Sequence, residues 1–133
     1  MAQRRLMKEF KELTVSPADG ILAGPINEDN LFEWEALVDG PSGTAFDGGC
    51  FAARVSFPKD YPLSPPTMRF TSQIWHPNVF PSGAVCISIL HSSTDEMYAG
   101  YEPVSEQWSP LLSLEKVLIS VMCTCSQRFD WKI

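Results

Sequence analysis

Hydrophobic and polar positions change period along this chain. From about Gln3 to Leu13, the residues Leu6, Phe10 and Leu13 recur at helical spacing with Met7 beside them. Arg4, Arg5, Lys8 and Lys11 fall mostly on the other face, which predicts an amphipathic helix. Ser16-Pro17 ends it, because the residue before a proline avoids the helical region. The period then drops to two. Ile21 to Ala23 reads as a brief strand closed by Gly24-Pro25. Phe32, Trp34, Ala36 and Val38 alternate with Glu33, Glu35 and Leu37, and Phe51, Ala53, Val55 and Phe57 alternate with Ala52, Arg54 and Ser56. Met68 to Phe70 supplies a fourth short strand. Short connections, such as the turn at Asp39-Gly40-Pro41-Ser42-Gly43, favour an antiparallel meander.

Between Phe57 and Phe70 stand Pro58, Pro62, Pro65 and Pro66, a density that no regular element survives. From Thr71 to about Trp108 no periodicity appears, and irregular stretches that long inside a domain are often functional. A second helix is expected from about Leu114 to Met122. Leu114, Val117, Leu118 and Val121 line one face, and Ser113 is its N-cap. The class is therefore α+β: an N-terminal helix, a four-stranded antiparallel meander, a long loop region that holds the candidate chemistry, and a second helix. The tail Cys123 to Ile133 has no helical pattern.

Composition narrows the function. At 133 residues and 44% hydrophobic, the chain fits one domain with a core. A net charge of -6 argues against general nucleic-acid binding, which needs clustered Lys and Arg. No apolar run reaches membrane-spanning length, and the N-terminus lacks the apolar stretch of a secretory signal. A cytoplasmic protein without membrane insertion is expected. Cys50, Cys86, Cys123 and Cys125 do not have the spacing of a zinc site, and His76 and His91 do not pair with them as ligands. No metal is expected. In a reducing compartment the default is four free thiols, each a small buried residue or a reactive group.

One cysteine departs from that default. Around Cys86 the sequence reads His76-Pro77-Asn78, then Pro81-Ser82-Gly83-Ala84-Val85-Cys86-Ile87-Ser88-Ile89-Leu90. This resembles the active-site signature of ubiquitin-conjugating enzymes. Ala23-Gly24-Pro25, Phe32-Glu33-Trp34, Gly40-Pro41, Phe57-Pro58-Lys59-Asp60-Tyr61-Pro62, Pro65-Pro66 and Trp108-Ser109-Pro110 follow in the family's order. The resemblance runs over about residues 3 to 122. The segment His91 to Gln107 carries Asp95, Glu96, Glu102 and Glu106. It resembles the family's acidic-insertion subgroup, of the type that works in endoplasmic-reticulum quality control with membrane-anchored RING ligases.

The resemblance implies a role for each matching residue. Cys86 would carry ubiquitin as a thioester, because the thiolate is a good nucleophile and a thioester stays reactive toward amines. Transthiolation needs only a modest thiolate fraction, so the absence of a flanking His base is no objection. Asn78 would supply or organise the donor for the oxyanion that forms when lysine attacks, and His76 would hold the loop that presents it. The alternative for His76-Pro77-Asn78 is a plain turn, and for Cys86 a core position among Val85, Ile87 and Ile89; the surrounding motifs favour the catalytic readings. Arg4, Arg5 and Lys8 match where the family docks the ubiquitin-activating enzyme. Leu63 and Pro110 match its ligase-binding surface, and Ile119 the place where donor ubiquitin folds back. For each of these the other reading is a solvated or core-packed residue, and both stay open. No cofactor is implied, since ATP is consumed upstream by the activating enzyme.

The resemblance also sets limits. The family fold continues with further helices, whereas here the motifs give out near Met122. The expectation is a core domain at 1–122 lacking its C-terminal helices, a divergent tail at 123–133, and an uncovered apolar face on the second helix. Three functions compete on this reading. A ubiquitin carrier and transferase is favoured by Cys86 together with Asn78. A non-catalytic module that binds ubiquitin or ligase is favoured by the shortened end. Conjugation of another ubiquitin-like protein is disfavoured by the acidic insertion.

Overall fold

The structure, a computed structural model, describes residues 2–16, 18–76, 78–92 and 107–126, with the backbone alone at 124–126. Two helices flank a four-stranded antiparallel sheet in the order β1-β2-β3-β4. Helix α1 spans Ala2–Val15, followed by β1 (Ile21–Asn27), β2 (Asn30–Asp39), β3 (Cys50–Ser56), β4 (Thr67–Phe70), a 3-10 turn at Ser88–Leu90 and helix α2 (Leu114–Ser126). The meander and both helices are those the periodicity predicts.

Alternation along β2 and β3 sends one set of side chains inward. Trp34, Ala36, Val38, Ala53 and Val55 are buried while Glu35, Leu37 and Arg54 face out. Trp34 is the centre of this layer, with the Phe10 and Phe57 rings edge-on at 5.8 and 5.3 Å. Strand β1 runs past Gly24-Pro25, where the sequence reading stops it. It is the edge of the sheet, and an edge strand tolerates a residue without a backbone N–H; the pairing with β2 becomes irregular just there, between Pro25 and Asn27.

Helix α2 also exceeds its expected end, continuing through Cys123 to Ser126. Its apolar face is covered, contrary to expectation. Leu114, Val117, Leu118 and Val121 are all buried in the common core, where each such side chain contributes about 1.5–3 kcal/mol. They share one core cluster with the inward residues of the sheet, among them Trp34, Val38 and Val55. Ser113 caps α2 as predicted, its Oγ accepting the Lys116 N–H at 3.4 Å.

The helices are joined through a buried carboxylate. Glu9 lies on the inward face of α1. Its Oε2 accepts from Arg5 Nε at 2.9 Å and from the Tyr61 hydroxyl at 2.6 Å, and its Oε1 accepts the Leu114 N–H at 2.7 Å. Leu114 opens α2, so an orphan donor of one helix is satisfied by a side chain of the other. Burial first, and then the Glu9 carboxylate, pushes the Tyr61 phenol far above its ordinary range.

Candidate active site

The stretch without periodicity folds into a small hairpin laid along β4. Residue Ala84 bridges Arg69, and Val79 bridges Val85. The Phe70 N–H donates to the Gly83 carbonyl at 2.8 Å and the Val85 N–H to the Met68 carbonyl at 3.0 Å, which extends the sheet at its far edge. The turn at Phe80–Gly83 is closed by the Gly83 N–H on the Phe80 carbonyl at 2.8 Å. Gly83 has φ 95, and a Cβ there would meet the Phe70 carbonyl oxygen at 2.2 Å. Only glycine fits this position.

Asn78 and Cys86 sit opposite each other at the open end of the hairpin. The Cys86 N–H donates to the Asn78 carbonyl at 2.7 Å. From the other side, the Asn78 N–H donates to Nδ1 of His76 at 3.0 Å, and the Val79 N–H to the His76 carbonyl at 3.0 Å. His76 is buried, its ring 5.7 Å from that of Phe46. Asn78 and Cys86 are each half-buried. The backbone thus fixes an asparagine beside a reachable thiol, from residues eight apart in a stretch without local pattern.

A third residue, which the sequence reading set aside as a metal ligand and did not count as a base for Cys86, joins them. The 3-10 turn folds the chain back after Ile87, and Nε2 of His91 comes to 3.7 Å from Cys86 Sγ, within hydrogen-bonding range for sulfur. His91 is 7% exposed. Its N–H donates to the Ser88 carbonyl, and its own carbonyl accepts the Trp108 N–H, each at 2.9 Å. The Trp108 indole N–H in turn donates to the Pro62 carbonyl at 2.8 Å. A turn of three residues per cycle leaves no trace in hydrophobic periodicity, so this contact had no signal in the sequence.

The other predicted residues scatter over the surface. Arg4 and Lys8 are exposed. Arg5 is half-buried and held internally by Glu9 and by the Leu112 carbonyl, so it belongs to the helix junction as well as to the basic cluster. Leu63 does not tuck into the core: it is 70% exposed. Pro110 is exposed, and beside it Leu111, which the sequence reading did not single out, is 93% exposed. Ile119 is on the outer side of α2, 37% exposed. Cys50 and Cys123 are exposed, not buried as the default reading has them. The reason is position, since Cys50 opens an outward register on β3 and Cys123 follows the last buried turn of α2. The side chain of Cys125 and the acidic residues Asp95, Glu96, Glu102 and Glu106 lie outside the described residues.

Among the described residues no group of three or more His, Cys, Asp or Glu converges as metal ligands would, and no helix is long and apolar enough to cross a membrane. A half-buried thiol with an imidazole nitrogen against it, on a hairpin that also carries Asn78, suits acyl transfer through sulfur. Comparison with known proteins points the same way. A family model described as ubiquitin-conjugating enzyme matches residues 5–129. The chain is 55% identical over 129 residues to the human ubiquitin-conjugating enzyme E2 G2, spanning 97% of this chain and 78% of that one. It is 54% identical over 130 residues to ubiquitin-conjugating enzyme E2-18 kDa of Schizosaccharomyces pombe, spanning 98% and 78%. Among solved structures, that of human ubiquitin-conjugating enzyme E2 G1 superposes with a TM-score of 0.83 at 42% identity, covering 94% of each chain.

Proposed function

This chain belongs to the ubiquitin-conjugating enzyme family, and from that premise we propose that Cys86 is its ubiquitin carrier. The Cys86 sulfur attacks the thioester of the charged activating enzyme. A bond forms from Sγ to the terminal carbonyl carbon of ubiquitin, and the bond to the activating enzyme's sulfur breaks. A lysine amine then attacks the same carbon, the amide forms, and Cys86 is released. Negative charge collects on the carbonyl oxygen during that attack, where a neutral amide donor is effective. The observation that carries the reading is the cross-strand pairing of Cys86 with Asn78, whose backbone bond sets the two residues side by side, each half-buried. His76 supports it by accepting the Asn78 N–H. No bound cofactor has a part, since ATP is consumed by the activating enzyme.

Exposure supports the partner surfaces that the family resemblance implies. Arg4 and Lys8 offer the activating enzyme two exposed cations on α1. Leu63 and Pro110, with Leu111 added, give a ligase of the RING type apolar anchors on two loops, the sort of side chain that a partner buries. Ile119 offers an apolar contact to donor ubiquitin. Ubiquitin transfer of this kind, at the cytosolic face of the endoplasmic reticulum, would serve protein degradation.

The test is a charging reaction with activating enzyme, ATP and ubiquitin, resolved on a non-reducing gel. A single adduct is expected, cleaved by reducing thiols. Cys86→Ser should give an oxyester that resists those thiols. A thiol-sensitive adduct persisting in Cys86→Ala would overturn the assignment.

A further inference from the structure

The imidazole beside Cys86 has no part in the scheme above. Its placement nonetheless suits proton transfer. Nε2 of His91 stands 3.7 Å from Sγ. With Nε2 unprotonated, the thiol donates to the ring; with the ring protonated, the ring donates to the thiolate. The contact survives either location of the proton, which a proton acceptor requires.

The turn that carries the ring is held by backbone bonds. Both backbone groups of His91 are bonded on their own account, the N–H to the Ser88 carbonyl and the carbonyl to the Trp108 N–H. Trp108 is itself tethered by its indole to the Pro62 carbonyl. The imidazole is therefore aimed by an anchored backbone, and burial limits its freedom to turn away. Such preorganisation is what a base needs, and a ring serving only to fill space does not need its nitrogen directed at a sulfur.

We propose that His91 is a catalytic residue of this site, the base that takes the Cys86 proton during charging and returns one when lysine displaces the sulfur. In charging, the S–H bond breaks and an N–H bond forms at Nε2. The sulfur bonds to the ubiquitin carbonyl carbon, and the activating enzyme's sulfur leaves with its electron pair. In discharge, the C–S bond breaks, the Cys86 sulfur keeps the electron pair and takes the proton from Nε2, and the proton shed by the amine goes to solvent. A thiol is mostly protonated at neutral pH, so a resident base raises the fraction of encounters that react.

This inference rests on Cys86 as the carrier, and the experiment separates the two. His91→Phe fills the ring's space without a nitrogen, and His91→Asn keeps a polar side chain without a base. The full chain and both variants are compared by thermal melting, by the alkylation rate of Cys86 with iodoacetamide in the absence of ubiquitin, and by charging kinetics. Expected are slower alkylation in both variants and a fall of roughly a hundredfold in the maximal rate of charging. KM for the activating enzyme should be unchanged, since the proposed role of His91 lies in the proton transfer and not in docking. A His91→Gly chain should recover part of that rate when imidazole is added, which a purely structural role would not produce. Folded Asn or Phe variants that alkylate and charge at the unsubstituted rate would overturn the role of His91. Failure of the unsubstituted chain to charge on Cys86 would instead overturn the carrier reading, and alkylation would still decide whether the pair exists.

Discussion

Replacing Glu9 with glutamine leaves the shape of the helix junction unchanged and removes its charge. In the native chain one carboxylate accepts three donors, Arg5 Nε, the Tyr61 hydroxyl and the Leu114 N–H. A glutamine oxygen can keep the Leu114 N–H, but its amide nitrogen then faces two donors. A hydrogen bond to a charged group is worth about 1.5–3 kcal/mol. The Arg5 side is 28% exposed, so its share is discounted for solvent screening. The expected loss is about 2–4 kcal/mol, a large part of the roughly 5–15 kcal/mol that holds a domain together. Urea denaturation followed by tryptophan fluorescence measures it, with the slope held constant so that the midpoint reports stability. A cycle with Tyr61→Phe should give a coupling of about 1–2 kcal/mol, because the two side chains share one bond. A loss below about 1 kcal/mol, the range of a surface ion pair, would refute the argument that this carboxylate joins the helices.

The remaining expectations are briefer. Asn78→Ala should charge normally but discharge to free lysine roughly a hundred- to a thousandfold more slowly in single-turnover assays; unchanged discharge would return Asn78 to a turn residue. Gly83→Ala should lose at least about 2 kcal/mol in urea titration, since it adds positive-φ strain to a backbone clash, and its charging should slow because the displaced turn carries Cys86. Leu63→Ala should leave the melting temperature in place yet weaken ligase-stimulated discharge by roughly tenfold or more, measured with and without the ligase. The Tyr61 phenol titrates higher in the folded chain than in the unfolded one, so its contribution to stability is complete below the unfolded value and lost as pH rises above about 10. Denaturation between pH 9 and 11 should therefore steepen in the native chain relative to Tyr61→Phe.

What could be read from the sequence was what repeats or what is local. The alternation of Phe32 to Val38 and Phe51 to Phe57 gave the inner and outer faces of β2 and β3, and Ser113 announced the start of α2 by residue type. The passage of β1 through Pro25 depends on being an edge strand, a property of the whole sheet. Glu9 looks like one more polar residue on an amphipathic helix, and its burial is decided by Tyr61 and Leu114, far off in the chain. Arg5 was indistinguishable from Arg4 for the same reason. Cys86 and Asn78 were legible as a motif, but their juxtaposition is a matter of hairpin register. His91 was legible neither as a motif nor by period, because a single turn of 3-10 helix decides where its ring points.

The bond from the Trp108 N–H to the His91 carbonyl has a consequence for how this site can diversify. It closes the neck of the segment between Ser92 and Gln107, and the indole contact with Pro62 moors Trp108 to a different loop. Residues can then be added to or deleted from that segment without shifting either end. Each doubling of length adds only about 0.6 kcal/mol of closure entropy, well within what a domain tolerates. Insertions there would be nearly neutral for folding while changing the length and charge of the chain that follows the Cys86 turn. Drift in acceptor preference could then accumulate in the segment's length and charge, with the chemistry behind the neck held constant.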